Sequence, residues 1–513
     1  MSGKEDIMLC RMTASHWKDN QMVPTYFVSQ KPRKGYYTRI KEAIQRVPPY
    51  SRIEIVGGGT FREKVIVDKP VELGVAKASD PTSICSSSTA LVLQTNECHI
   101  EGLIIEVESL TATPSCSVSI PTGSSTLKWC TVQSIEVSGT ATPTVTECKI
   151  LDSKAHGLLL TEASGGTYVR NSIYGHVGYS VLVESTGEPQ LSYNNISCSG
   201  LGAISVKGSD ASSKVCPQFM LNRISSGHAT ARTTVAAAHE NGILPGYKLD
   251  GLEVKEVGMK VSLMPMDHYA PVMLSDDMAT GGDDDAIVNN NNTRCAVLIS
   301  GTYAEPVLTR NNISNCADHG LWLRGGCGGT YEGNYVASNK GWGIVVEGSK
   351  THATFEANHV NSNTGGMKIT GSPILVQGEN ILSGNRGPQV YIANPHADFV
   401  FQKNKVQSGS RIGVWCTGSG GGLFTQNVFE NSAVAFRVEL LADPVVQDCS
   451  FELCAIGVYA SMASRGKFTH CTFSECSFLQ CRLPHPSRAA LRGLSVQSRR
   501  GRRHRLPQWT RNL

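Results

Sequence analysis

Two short patterns of polar and apolar positions alternate along most of the chain. One is an Asn or Cys, a variable residue, then an aliphatic or Phe: Cys148-Lys149-Ile150, Asn171-Ser172-Ile173, Asn194-Asn195-Ile196, Asn311-Asn312-Ile313, Asn334-Tyr335-Val336, Asn404-Lys405-Val406, Asn427-Val428-Phe429, Cys449-Ser450-Phe451 and Cys471-Thr472-Phe473. The other is a pair of apolar residues flanking a single residue, as in Leu158/Leu160, Val181/Val183, Leu321/Leu323, Ile344/Val346 and Ile456/Val458. From 148 to 194 and from 404 to 471 the first pattern recurs every 22 or 23 residues. The period of two marks short strands with one buried face. A unit of this length holds three strands and three turns, with no helix long enough for a leucine-rich or ankyrin repeat. The chain therefore reads as an all-β solenoid, a single-stranded parallel β-helix with about 22–24 residues per coil.

Stacking equivalent residues about 4.8 Å apart makes the aliphatic positions into continuous interior ladders, and roughly 13 coils give about 60 Å of solenoid. The Asn positions are expected at tight turns, where Asn tolerates the left-handed conformation and can bond to the Asn above and below. Cys at that position in the outer coils is read as a small buried hydrophobe. Ile40, Ala43, Ile44 and Val47, just before Pro48, make one apolar stripe of a short N-terminal helix capping the apolar bore. Ile53-Glu54-Ile55 and Val65-Ile66-Val67 give the first strands after it. This divides the chain into an N-terminal extension (1–34), the β-helix (35–481) and a tail (482–513). Ile204 and Val297 lie 93 residues apart, close to four coils. Loops at 226–246 and 266–292 are accordingly expected to flank one or two degenerate coils, with Leu252-Glu253-Val254 near one strand.

Composition narrows the function classes. Only 18% of residues are charged, 51 are Gly and 40% are apolar, which excludes a coiled coil and wholesale disorder, and no apolar run reaches membrane-spanning length. The tail holds nine Arg with no Lys, Asp or Glu, so the formal charge of +4 becomes −5 over residues 1–481. A nucleic-acid partner is thus expected only through this tail, which reads as disordered. The 17 Cys come with no apolar signal segment within Met1 to Asn20, so reduced thiols and an intracellular, cytoplasmic or nuclear, protein are expected. Paired C-x2-C motifs are missing, and neither metal nor cofactor is expected.

Ile40-Lys41-Glu42-Ala43-Ile44, Arg52-Ile53-Glu54-Ile55, Gly59-Thr60-Phe61-Arg62-Glu63 and Lys69-Pro70-Val71-Glu72-Leu73-Gly74 resemble the opening of right-handed, pectin-lyase-like β-helix proteins. The repeats from 148 to 478, particularly Asn334 to Val346, are similar to β-helix F-box proteins and to NosD-like carbohydrate-binding and sugar-hydrolysis modules. The resemblance implies a right-handed solenoid. From the F-box group it implies a non-catalytic adaptor that binds a protein partner in ubiquitin-ligase substrate recognition, although the N-terminal residues carry no F-box pattern. The alternative is a carbohydrate-binding or polysaccharide-cleaving protein, a hydrolase or lyase.

Candidate chemistry is sparse. Gly282-Asp283-Asp284 and Asp318-His319-Gly320 resemble fragments of a polygalacturonase site, where two carboxylates flank a water. The acidic run reads first as a solvated loop. His156-Gly157 and His319-Gly320 occupy equivalent coil positions, which points to turn geometry. No catalytic residue is assigned, and Asp283, Asp284 and His319 are the candidates. Trp322 lies between inward Leu321 and Leu323 and should face out; with Trp342 and Trp415 it forms the candidate binding set, suited to stacking on sugars or anchoring a protein.

Overall fold

The computed structural model describes residues 8–15, 21–77, 79–108, 116–208, 213–226, 295–394, 396–407, 411–460 and 464–476, and the backbone of 490–492 and 495–497. They fall within one compact unit, and the second unit, His228–Asn292, lies outside the described residues. Three parallel sheets wind along a solenoid of about 16 turns with one short helix. One coil shows the rule: Thr330–Glu332, Tyr335–Ala337 and Trp342–Glu347 pair in parallel with Thr354–Glu356, His359–Asn361 and Gly365–Thr370 of the next. Each strand gives one or two side chains to the bore. In the first sheet the inward column runs Leu308, Tyr331, Phe355, Val376, Phe401, Phe424, Val446 and Phe468, all buried.

The turn from first to second sheet carries the Asn ladder, and here the structure corrects the sequence reading. The left-handed residue is the one before each Asn: Arg170, Tyr193, Leu221, Arg310 and Lys403 have φ of 53–56°. That bend sends its own side chain outward and turns the Asn into the bore. The Asn194 amide Nδ2 donates to Asn222 Oδ1 at 3.0 Å and to the Tyr168 carbonyl at 2.9 Å, and its backbone N–H donates to the same Asn222 Oδ1 at 2.9 Å. The pattern repeats through Asn311, Asn334, Asn358 and Asn380. At its end the Asn427 backbone N–H meets the Cys449 sulfur at 3.5 Å, so Cys is more than a small hydrophobe there. A second ladder, Asn339, Asn363, Asn385 and Gln389, lines the turn into the third sheet and has no counterpart in the sequence reading.

Three boundaries move. Met22–Val28 pairs in parallel with Ser51–Ile55, so the solenoid begins inside the supposed N-terminal extension, and Cys10–Ala14 folds back antiparallel on it. These strands lack the Asn signature because the helix Ile40–Arg46, buried through Ile40, Ala43 and Ile44, replaces the turns of that coil. Ile204 pairs directly with Val297, Phe219 with Leu308 and Ile224 with Ile313. The expected degenerate coils are therefore absent from the ladder: one insertion leaves after Arg223–Ser225 and returns at Val297–Ser300 within a single coil. Leu252 to Val254, like most of both expected loops, lies outside the described residues. The tail, expected to be disordered, adds Ala490–Arg492 to the first sheet and Ser495–Gln497 to the second. With these coils the ladder is about 75 Å long rather than 60.

Candidate functional site

The outer face of the third sheet is where the chemistry gathers. Because its register is fixed on both sides, the residue between the two inward positions of each strand stacks into one central column: Leu298, Trp322, Val345, Lys368, Tyr391, Trp415, Arg437 and Tyr459. Beside it runs a flanking column that includes Arg324, Glu347 and Glu439. Trp342, Val345 and Tyr391 form an apolar cluster separate from the bore, with Trp322 and Trp415 packed against it.

Two arrangements on this face share a Trp–Glu–cation link, with the cation two coils on from the indole in the first and one coil on in the second. Trp322 Nε1–H donates to Glu347 one coil on at 3.1 Å, and Glu347 pairs with Lys368 Nζ at 3.4 Å. Trp415 Nε1–H donates to Glu439 one coil on at 3.1 Å, and Glu439 pairs with Arg437 at 2.6 Å. Each indole also carries a guanidinium: Arg324 lies 4.8 Å from the Trp322 ring and Arg437 4.6 Å from that of Trp415, with the other side of Arg437 against Tyr459 at 5.6 Å. Tyr391 meets Trp415 edge-on at 5.4 Å and Trp342 at 6.1 Å. Burial raises the Tyr391 hydroxyl above its ordinary pKa, so it stays a neutral hydrogen-bonding group.

All three tryptophans read from the sequence reach this face, but not as three exposed rings. Trp342 is 9% exposed. Its indole lies across Gly365 of the next coil, where a Cβ would overlap the ring, so only glycine admits this approach. His319 stands at the end of the strip, its ring 5.9 Å from Trp322 and edge-on. Its Nδ1 accepts the Trp342 backbone N–H at 3.0 Å, as His156 Nδ1 accepts that of Tyr179 at 3.0 Å. Burial lowers both imidazole pKa values, in His319 against the pull of Asp318, which keeps Nδ1 an acceptor. The two histidines thus do equivalent work in fixing where the third-sheet strand begins. Asp283 and Asp284 lie outside the described residues, and so does the acidic run around them.

The sequence reading missed Tyr391, Arg437, Tyr459, Glu347 and Glu439. The signal was available: steps of 22 to 24 residues from Trp322 reach 345, 368, 391, 415, 437 and 459 in turn. Chemically the face offers indole rings, carboxylates and cations in two adjacent columns. Glu347 and Glu439 stand four coils apart, about 19 Å, so they are not placed as the acid–base pair of a glycosidase, which needs about 5–9.5 Å. Among the described residues no group of three metal-ligating side chains converges. A shallow depression of about 510 Å3 at the turn from first to second sheet, lined by Lys403, Gln426, Asp448 and His470 among others, has no Trp, Tyr or Phe in its lining.

No curated protein matches the chain. Similar solved structures include the Dettilon tailspike protein gp208, at 9% identity over 87% of this chain and 62% of that one, with a TM-score of 0.31. The chain thus spans 62% of the tailspike's length. Others are the periplasmic alginate epimerase AlgG, at 9% identity over 93% of this chain and 86% of that one (TM-score 0.27), and the A-module of the Azotobacter vinelandii mannuronan C-5 epimerase AlgE6, at 8% over 89% and 93% (TM-score 0.26). The repeats are those of a known family across most of the solenoid: the pattern described as "Right handed beta helix region" matches residues 87–216, 279–400 and 388–483, and the chain belongs to that family.

Proposed function

We propose that the protein binds carbohydrate on the outer face of its third sheet, between Trp322 and Tyr459. The observation that carries this reading is the repeated Trp–Glu–cation link, its two indoles aligned in one column and its two carboxylates in the column beside it. A sugar ring has an apolar C–H face and a rim of hydroxyls. The half-buried indoles of Trp322 and Trp415, flanked by carboxylates and guanidinium groups and braced by the buried Tyr391, match both at once. The indole N–H bonds to Glu347 and Glu439 hold the rings before a ligand arrives, which lowers the ordering cost of binding.

A protein partner, the occupant expected from the F-box resemblance, finds less here. Every strand from Leu321–Arg324 to Val434–Val438 is paired on both sides, so this stretch has no free edge for a peptide to extend. The test is a glycan array probed with the full-length protein, followed by calorimetric titration of the best binder. Trp322→Ala and Trp415→Ala are each expected to weaken binding at least about tenfold, or about 1.4 kcal/mol, with the far-UV spectrum unchanged. Absence of any glycan signal, or binding that both variants retain in full, overturns the assignment.

A further inference from the structure

We infer that the ligand of this face is an uncharged polysaccharide, lying parallel to the solenoid axis across two related subsites, one at Trp322 and one at Trp415. The inference rests on the carbohydrate-binding reading above and adds to it the charge, direction and reach of the chain.

Charge comes from the ion pairs. Lys368 is engaged by Glu347 and Arg437 by Glu439, and at the preceding end of the sheet Lys207 pairs with Glu184 at 3.1 Å. Among the described residues of the third-sheet strands from Gly202–Lys207 onward, the cation left is Arg324, which lies over the Trp322 ring. A polyuronate carrying a carboxylate on each sugar needs a succession of cations free to meet it, and it would also face Glu347 and Glu439 in the adjacent column. Hydroxyl groups fit better, because a paired carboxylate and a paired guanidinium still accept and donate hydrogen bonds without presenting net charge.

Direction and reach come from the register. Trp322 and Trp415 occupy the same column four coils apart, so the two copies of the arrangement are separated by about 19 Å along the axis. Val345, Lys368 and Tyr391 fill the column between them. A glycan chain extended along the column and long enough to cover four strand spacings, about 19 Å, meets both copies. Filling the second subsite is then an intramolecular event with a high effective concentration.

The experiment uses the full-length protein with soluble xylan, β-glucan and galactomannan as neutral probes and polygalacturonate and alginate as charged ones. Each is titrated from about 50 mM to about 500 mM salt. A neutral polymer is expected to bind with less than about a twofold change over this range, and the polyuronates at least about tenfold more weakly. Chains of the binding polymer long enough to span both subsites should exceed short ones by about a hundredfold, a surplus that Trp415→Ala removes. Tighter, salt-sensitive binding of a polyuronate overturns the charge assignment and leaves carbohydrate binding standing. Affinity independent of chain length overturns the axial, two-subsite geometry. Failure of every polysaccharide to bind overturns the underlying reading itself.

Discussion

At the scale of the residue, the coils from Asn171 to Asn427 each turn on a buried amide between the first and second sheets. Asn334 Oδ1 accepts both the backbone N–H of Asn311 at 2.9 Å and its amide at 3.0 Å, while Asn334 Nδ2 donates to the Leu308 carbonyl at 2.8 Å and to Asn358 at 3.0 Å. Truncating it leaves buried donors and an acceptor with nothing to replace water, each at about 1–3 kcal/mol. Asn334→Ala is therefore expected to cost about 3–5 kcal/mol in urea denaturation. The chain itself supplies the control. At the equivalent place Cys449 receives the Asn427 N–H at 3.5 Å and directs its own S–H to the Phe424 carbonyl at 3.6 Å. Burial holds that thiol protonated, its pKa pushed up to about 12. Asn334→Cys should thus recover roughly half of the loss seen with Ala, because sulfur keeps weakened versions of the same contacts. Equal losses for the two variants would show that the ladder is held by shape alone.

At the scale of the element, the three strands of a coil were legible wherever a signature residue marked the turn. Asn171, Asn194 and Asn334 announced the coil because the left-handed bend before them admits few alternatives to a buried amide. Where another device makes the turn, the sequence was mute: the helix Ile40–Arg46 hid the strand Met22–Val28, and the Arg-rich composition hid the strands Ala490–Arg492 and Ser495–Gln497. The insertion misled by arithmetic, since a length of nearly four coils is no evidence that coils are present. The binding face was half legible. Trp322 and Trp415 stand out by their rarity, whereas Glu347 and Glu439 are ordinary residues until the register sets each beside an indole one coil away. The direct pairing of Ile204 with Val297 makes the insertion dispensable to the ladder. Replacing residues 226–296 with a copy of the turn Asn315–Gly320, which the pairing of Ser225 with Ser314 and of Val297 with Leu321 keeps in register, is expected to leave a cooperative unfolding transition and to raise stability by on the order of 2 kcal/mol, through the shorter connection. A lower midpoint by differential scanning calorimetry would show that the insertion supports the solenoid.

At the scale of the whole molecule, the two ends of the solenoid are filled differently, and this sets how it comes apart. In the early coils the first-sheet column runs Ile53, Leu73, Ile100, Leu127, Val145, Tyr168 and Leu191, mostly aliphatic, whereas beyond residue 398 rings dominate the bore. Phe424 stands at the centre of that second region, meeting Phe436 at 4.9 Å, Phe399 at 5.5 Å and Phe401 at 5.7 Å, and the stack continues through Phe429, Phe451 and Phe473. A coil touches only its neighbours, so stability is a sum of local terms, and a defect need not be felt along the full length. Phe424→Ala removes a ring that three others pack against and should cost about 3–5 kcal/mol. That loss belongs to the coils around it. Native-state hydrogen exchange is expected to show protection falling across residues 399–474 while the coils from Thr126 to Ser225 stay as they were, the two regions opening as separate cooperative units. The binding face crosses this boundary: Trp322 lies before it, and Trp415 with Arg437 and Glu439 lies within the region that loosens. The variant should therefore keep the first subsite and lose the gain from chain length, without any substitution on the face. A uniform fall in protection along the chain would show that the solenoid opens as one body, and in that case both subsites would weaken together.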